Sequence, residues 1–143
     1  MPRDVVKKGI LFLCTGNSCR SQMAEGFAKK LAPSQVSIYS AGIKAHGLNS
    51  RAVQVMKEIG IDISHQTSKT LDSIPKDQIN TVITVCGHAN ETCPVFPGKV
   101  KRLHWDIEDP AKAKGSEEEV PDIFRKVRDT LQRKIEDFFK NDN

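Results

Sequence analysis

The sequence predicts an α/β fold: a single three-layer domain over residues 1–143, with a four-stranded parallel sheet flanked by helices. Three observations predict it. Short β-branched runs alternate with longer segments of helical periodicity, in the order strand, helix, strand, helix, strand, strand, helix. At 143 residues the chain can build one continuous core without staples. A glycine-containing loop joins the first strand to the first helix, where ligands gather at the carboxyl edge of a parallel sheet.

The first strand is Lys8 to Leu13, an apolar run too short for a helix. Arg20 to Leu31 follows as a helix, with Met23, Phe27 and Leu31 on one face and Ala24 and Ala28 beside them. Val36 to Tyr39 is a short strand closed by Ser40-Ala41-Gly42. Asn49 is placed to N-cap a helix carrying Ala52, Val53, Met56 and Ile59, which stops at Gly60. Thr81 to Val85 is the strongest strand and Val100 to Trp105 a weaker one. The closing helix runs from about Ser116 to Phe139. Its stripe is Val120, Ile123, Phe124, Val127, Leu131, Ile135 and Phe138, and Ser116 with Glu119 forms a capping-box pattern at its start.

Composition narrows the function classes. A hydrophobic fraction of 38% with 28% charged residues is that of an ordinary soluble protein. The net charge of +4 suits an anionic substrate, although lysines dispersed over helix surfaces account for it more simply. No basic stripe is interleaved with aromatics, which argues against nucleic acid. The longest apolar run near the N-terminus, Ile10 to Leu13, is too short for a signal peptide or a membrane span, so a cytoplasmic protein is expected. In a reducing cytosol, four cysteines point to catalysis or metal binding before structural disulfides.

The chemistry concentrates in Cys14-Thr15-Gly16-Asn17-Ser18-Cys19-Arg20-Ser21. A loop entering a helix N-terminus favours an anion, and the same field favours thiolate, the nucleophilic form of cysteine. Gly16 permits a tight backbone whose amides point inward. Asn17 and Ser21 have short polar side chains suited to bracing the loop and donating to Cys14. Arg20 offers a planar fork to two oxygens of a bound anion. A second thiol, Cys86, directly follows the third strand. If the first and third strands are adjacent, neighbouring strands about 4.8 Å apart would let Cys14 and Cys86 meet within disulfide range. A zinc site is the alternative for four cysteines, but Cys86 and Cys93 are spaced too widely and Arg20 would oppose the cation. No metal is expected. His46, His65, His88 and His104 show no ligand spacing.

The run Cys-Thr-Gly-Asn-Ser-Cys-Arg-Ser-Gln-Met-Ala-Glu-Gly at 14–26 resembles the opening of the thioredoxin-coupled arsenate reductases, which share the fold of low-molecular-weight protein tyrosine phosphatases. The likeness continues through Tyr39-Ser40-Ala41-Gly42, Ala45-His46-Gly47, Gly60-Ile61-Asp62-Ile63-Ser64, Val85-Cys86-Gly87, Cys93-Pro94, His104-Trp105 and Asp109-Pro110-Ala111. It implies a four-stranded parallel sheet, in agreement with the pattern. It also implies arsenate reduction in arsenic detoxification rather than phosphate ester hydrolysis. The phosphatases typically carry an aromatic residue after Asp-Pro, where this chain has Ala111 and Lys112, and they lack a pair such as Cys86 and Cys93.

By this resemblance Cys14 attacks arsenate held by the loop and Arg20, with Asp109 as general acid. Cys86 then attacks Cys14, arsenite leaves, and Cys93 moves the disulfide outward to Cys86–Cys93 for thioredoxin or another dithiol to reduce. Were residues 87–92 helical, Cys86 and Cys93 would be about 10.5 Å apart along the axis, so a rearrangement of residues 86–93 on oxidation is expected. Cys19 is read as loop packing. No bound cofactor is implied; some family members hold potassium with positions matching Asn17, Glu25 and Ser40, but Lys69 stands where a further acidic ligand would fall, which argues against the ion here. A monomer is expected. A phosphatase acting on phosphotyrosine or small esters is the second enzyme reading, and a non-catalytic oxyanion or redox sensor the third.

Overall fold

The computed structural model describes residues 8–86, 96, 98–110, 115–116 and 118–141. Strand β1 (Lys8–Cys14) leads through the loop into helix α1 (Arg20–Leu31). Strand β2 (Val36–Gly42), helix α2 (Ser50–Lys57), strands β3 (Thr81–Thr84) and β4 (Lys101–His104), and helix α3 (Glu119–Asn141) follow. The four strands form one parallel sheet in the order β2-β1-β3-β4. Helices α1, α2 and α3 pack on one another, and α1 also lies on β1 and β2.

That order settles the adjacency on which the sequence argument depended. β1 is paired with β3 through Leu13 and Thr84, and the Val85 N–H donates to the Leu13 carbonyl at 2.9 Å. Cys14 and Cys86 therefore leave the sheet from neighbouring central strands at one edge. The central strands read as continuous apolar runs because both faces are covered: Leu11, Phe12, Leu13, Val82 and Ile83 are all buried. β4 is an edge strand and carries exposed Lys101, Arg102 and His104.

The α3 stripe behaves as its spacing predicts. Phe124, Val127, Leu131 and Ile135 are buried, with Val120 and Phe138 packed at the ends, whereas Ile123, expected in the stripe, is only half-buried. The Ser116 hydroxyl accepts from the Glu119 N–H at 3.1 Å, one half of the expected capping box. Asn49 caps α2, its Oδ1 accepting from the Arg51 and Ala52 N–H groups. Glu58, just past α2, accepts from Arg125 and Arg128 and so clamps α2 to α3.

Several expectations shift: α2 ends at Lys57, short of Gly60, and α3 opens at Glu119 rather than Ser116. β2 extends three residues beyond Tyr39, because Ser40, Ala41 and Gly42 keep pairing with Phe12, Leu13 and Cys14. Helix α1 is not a one-faced amphipathic helix. All residues from Arg20 to Ala28 are buried, while Leu31, expected on the buried face, is 39% exposed. The N-terminal turns of α1 are wrapped on the far side by Ile61 and Ile63, which approach Gly26, so polar residues there face protein rather than water.

Candidate active site

The loop from Cys14 to Cys19 is shaped by where its carbonyls go. The Cys14 and Thr15 carbonyls accept from the Ile43 and Lys44 N–H groups at 3.1 and 2.9 Å. The Gly16 carbonyl accepts from the His46 N–H at 2.9 Å and from the Ser68 hydroxyl at 3.2 Å. Asn17 O accepts from Gln22 Nε2 at 3.0 Å, and Ser18 O from the Asn49 N–H at 3.1 Å. In a planar trans peptide the C=O and N–H point apart. A belt that pulls the carbonyls outward therefore turns the amide N–H edges inward, and the Asn17 N–H reaches Cys14 Sγ at 3.2 Å. The loop is an inward-facing set of donors at the start of α1, the arrangement that receives a tetrahedral oxyanion.

Asn17 pins this geometry. Its φ of 49° is left-handed, a conformation asparagine tolerates better than other side-chain-bearing residues. The side chain is wholly buried and saturated: Nδ2 donates to Ser21 Oγ at 2.7 Å and Ser40 Oγ at 3.0 Å, while Oδ1 accepts from Gln22 Nε2 at 3.0 Å and the Lys69 N–H at 2.8 Å. Ser21 Oγ in turn lies 2.8 Å from Cys14 Sγ. When Cys14 is a thiolate the sulfur can only accept, and the Ser21 O–H donates to it.

Gly16 also makes room for a neighbouring side chain. Its φ is not positive; a Cβ there would lie 2.4 Å from His46 Nδ1, so the residue is small because the imidazole packs on it. Gly42 is likewise small because a Cβ would come within 2.7 Å of the Asn17 nitrogen.

Arg20 is buried at the loop's end. Its Nη1 donates to the carbonyls of Val85 at 3.3 Å and Ile107 at 3.0 Å, and Nη2 stands 3.4 Å from Asp109 Oδ2. The guanidinium thus ties the loop to the exit of β3 and to the segment after β4, and brings Asp109 to the same edge. Thr15 Oγ1 lies 3.1 Å from Cys86 Sγ, so a hydroxyl of the loop bridges to the second thiol. Cys14, Cys19 and Cys86 are all buried. Burial pushes the Cys19 thiol up to about 12, against the opposing hydrogen bond from Ser18, which keeps it protonated and unreactive. Cys93, Ala111, His88 and the rearrangement expected over 86–93 lie outside the described residues, apart from Cys86 itself. Among the described residues no cluster of histidine, cysteine and acidic side chains could hold a metal ion, and no helix is long and apolar enough to cross a membrane.

Beside the loop, Ser40 donates to Glu25, whose other oxygen pairs with Lys29. Lys69 Nζ stands 4.0 Å from Glu25 Oε1 and donates to Thr67 O at 2.7 Å. Burial lowers the Lys69 ammonium's affinity for its proton, and Glu25 opposes that effect. Sequence reasoning missed Gln22, Gln66 and Ser68. Gln22 is fully buried and bonds Asn17 and Thr67, and Gln66 bonds Gln22 at 2.8 Å. The available signal was a polar residue within a helix turn whose neighbours are all apolar, small or loop-facing.

The sequence pattern of the low molecular weight phosphotyrosine protein phosphatase family matches residues 9–142. The chain is 54% identical to an arsenate reductase of Halalkalibacterium halodurans, over 92% of this chain and 95% of that one. It is 53% identical to an arsenate reductase of Bacillus subtilis, over 92% and 94%. Among solved structures, an arsenate reductase in the phosphate binding state superposes with a TM-score of 0.77 at 32% identity, covering 95% of this chain and 99% of the other. One in an oxidized state gives 0.78 at 34% identity, covering 92% and 95%. With the family's pattern matched over nearly its whole length, the chain belongs to the low molecular weight phosphotyrosine protein phosphatase family.

Proposed function

We propose that this chain reduces arsenate to arsenite and passes the oxidising equivalents through its own thiols to a thioredoxin-type dithiol. The observation that carries this is the placement of a second cysteine, Cys86, within hydrogen-bond reach of the oxyanion loop through Thr15. Hydrolysis of a phosphate ester has no use for such a thiol. The similarity to proteins named arsenate reductases supports the same reading.

Cys14 thiolate attacks arsenic; an S–As bond forms, an As–O bond breaks, and Asp109 supplies the proton with which oxygen leaves as water. The loop amides and Arg20 hold the remaining oxygens. Cys86 thiolate then attacks Cys14 sulfur. The S–As electron pair stays on arsenic, taking it from As(V) to As(III), and arsenite leaves behind a Cys14–Cys86 disulfide. Cys93 thiolate attacks Cys86 sulfur, Cys14 departs as thiolate, and an external dithiol reduces the Cys86–Cys93 bond by two further exchanges. Such a cycle needs reduced thiols at its start and so a reducing cytosol. The Lys69 ammonium beside Glu25 supports catalysis without potassium, since the position would set cation against cation.

The test is arsenate-dependent NADPH oxidation with thioredoxin and thioredoxin reductase, for the wild type and for Cys14→Ser, Cys86→Ser and Cys93→Ser. Turnover by the wild type alone is expected. No wild-type turnover, or full multiple turnover by Cys93→Ser, would sink the reading. A phosphatase would need Cys14 alone.

A further inference from the structure

We propose that Ser68 is a positioning residue for the Cys14 nucleophile, acting through the single peptide that joins Gly16 to Asn17. The proposal rests on the reading of Cys14 as the nucleophile, and deepens it. On one side of that peptide the Gly16 carbonyl accepts from the Ser68 hydroxyl at 3.2 Å and from the His46 N–H at 2.9 Å. On the other, the Asn17 N–H donates to Cys14 Sγ at 3.2 Å. Because the unit is rigid and planar, the angle at which the carbonyl is held outward is the angle at which the N–H is aimed inward.

Two donors fix the carbonyl's direction, and both of its lone pairs are used. One donor is the backbone of His46, which side-chain identity does not control. The other is the Ser68 side chain. Its hydroxyl also accepts from the Gly47 N–H at 3.1 Å, so it stands in a chain running from Gly47 through Ser68 and the Gly16–Asn17 amide to sulfur. Donors in series polarise one another, and an amide whose oxygen is doubly bonded is a better donor at nitrogen. Ser68 touches neither sulfur nor the oxyanion hollow. It would act by aiming and strengthening the one backbone donor that meets Cys14 directly.

The experiment is alkylation of the reduced full-length chain by iodoacetamide at neutral pH, followed at Cys14 by peptide mapping. Iodoacetamide is uncharged, so the readout reports the sulfur rather than anion binding, and it needs no arsenate turnover. Ser68→Ala, Ser68→Thr and the control Ser73→Ala are compared; the Ser73 hydroxyl meets only its own turn, at the Thr70 carbonyl. Ser68→Ala is expected to slow Cys14 alkylation roughly two- to tenfold, about the worth of one hydrogen bond to a charged group's donor. Threonine, which keeps the hydroxyl, should return the rate to within about twofold, and Ser73→Ala should leave it unchanged. An unchanged rate in Ser68→Ala overturns the proposal. So does equal slowing in Ser68→Thr with equally lowered melting temperatures, which is what loop destabilisation alone would give. If the wild type fails to turn over arsenate while Ser68→Ala still slows alkylation, the proposed function falls and the positioning role stands.

Discussion

Replacing Asn17 with alanine should be among the most damaging single changes outside the hydrophobic core. The side chain is 0% exposed and bonds Ser21, Ser40, Gln22 and the Lys69 N–H. Truncation strands the Lys69 amide and unsettles the Ser21 hydroxyl, while Gln22 keeps the Asn17 and Thr67 carbonyls. Each lost buried hydrogen bond is worth about 1 kcal/mol net, and a stranded donor costs about 1–3 kcal/mol. Alanine at φ 49° adds roughly 1 kcal/mol of backbone strain that asparagine largely escapes. With the Ser21 and Ser40 bonds lost, the Lys69 donor stranded and the strain added, the sum is about 4–6 kcal/mol, which for a chain of this size lowers the melting temperature by roughly 12–20 °C. Asn17→Gly removes the strain but not the lost bonds, so it should fall less than alanine. Thermal unfolding of the reduced proteins by circular dichroism is the assay. A drop of under 3 °C in Asn17→Ala, or glycine faring no better, would refute the claim that this residue pins the loop.

Cys19 should make stability fall with alkalinity. Its thiol stays protonated to about pH 12 in the fold, against 9.0 when unfolded, so its contribution is intact below pH 9 and lost at roughly 1.4 kcal/mol per unit above it. Denaturation midpoints of wild type and Cys19→Ala should therefore diverge less at pH 10 than at pH 8; parallel curves would contradict this. Thr15→Val removes the hydroxyl beside Cys86 Sγ and should slow disulfide formation in a single turnover by about tenfold, with the arsenate adduct at Cys14 still forming at the normal rate by rapid quench. Gly16→Ala sets a methyl 2.4 Å from the His46 ring and should destabilise the chain by about 1–3 kcal/mol. His46→Ala in the same chain should restore most of that, and a purely additive double-mutant cycle would speak against the contact.

The parallel sheet and the edge at which Cys14 and Cys86 leave it were legible because they depend on periodicity and on which residues follow strands, whereas the strand order β2-β1-β3-β4 came only from the structure. The α1 boundaries and the α3 stripe were legible for the same reason. The belt around the loop was not. Its donors at Ile43, Lys44, His46 and Asn49 are backbone amides, which every non-proline residue carries, so the side chains give no sign of them. Gly16 shows the related limit: its role in a tight loop could be read from the sequence, but the closeness of a Cβ there to His46 could not. Leu31 failed because helical spacing says which residues share a face, not where the covering partner ends.

The central claim is that Cys14 and Cys86 act in sequence on one arsenic. Cys93→Ser mixed with excess arsenate and no external reductant tests it most directly, by arsenite released per chain and by peptide mapping of disulfides. One arsenite per chain with a Cys14–Cys86 disulfide is predicted; arsenite released while Cys86 remains a free thiol would contradict it.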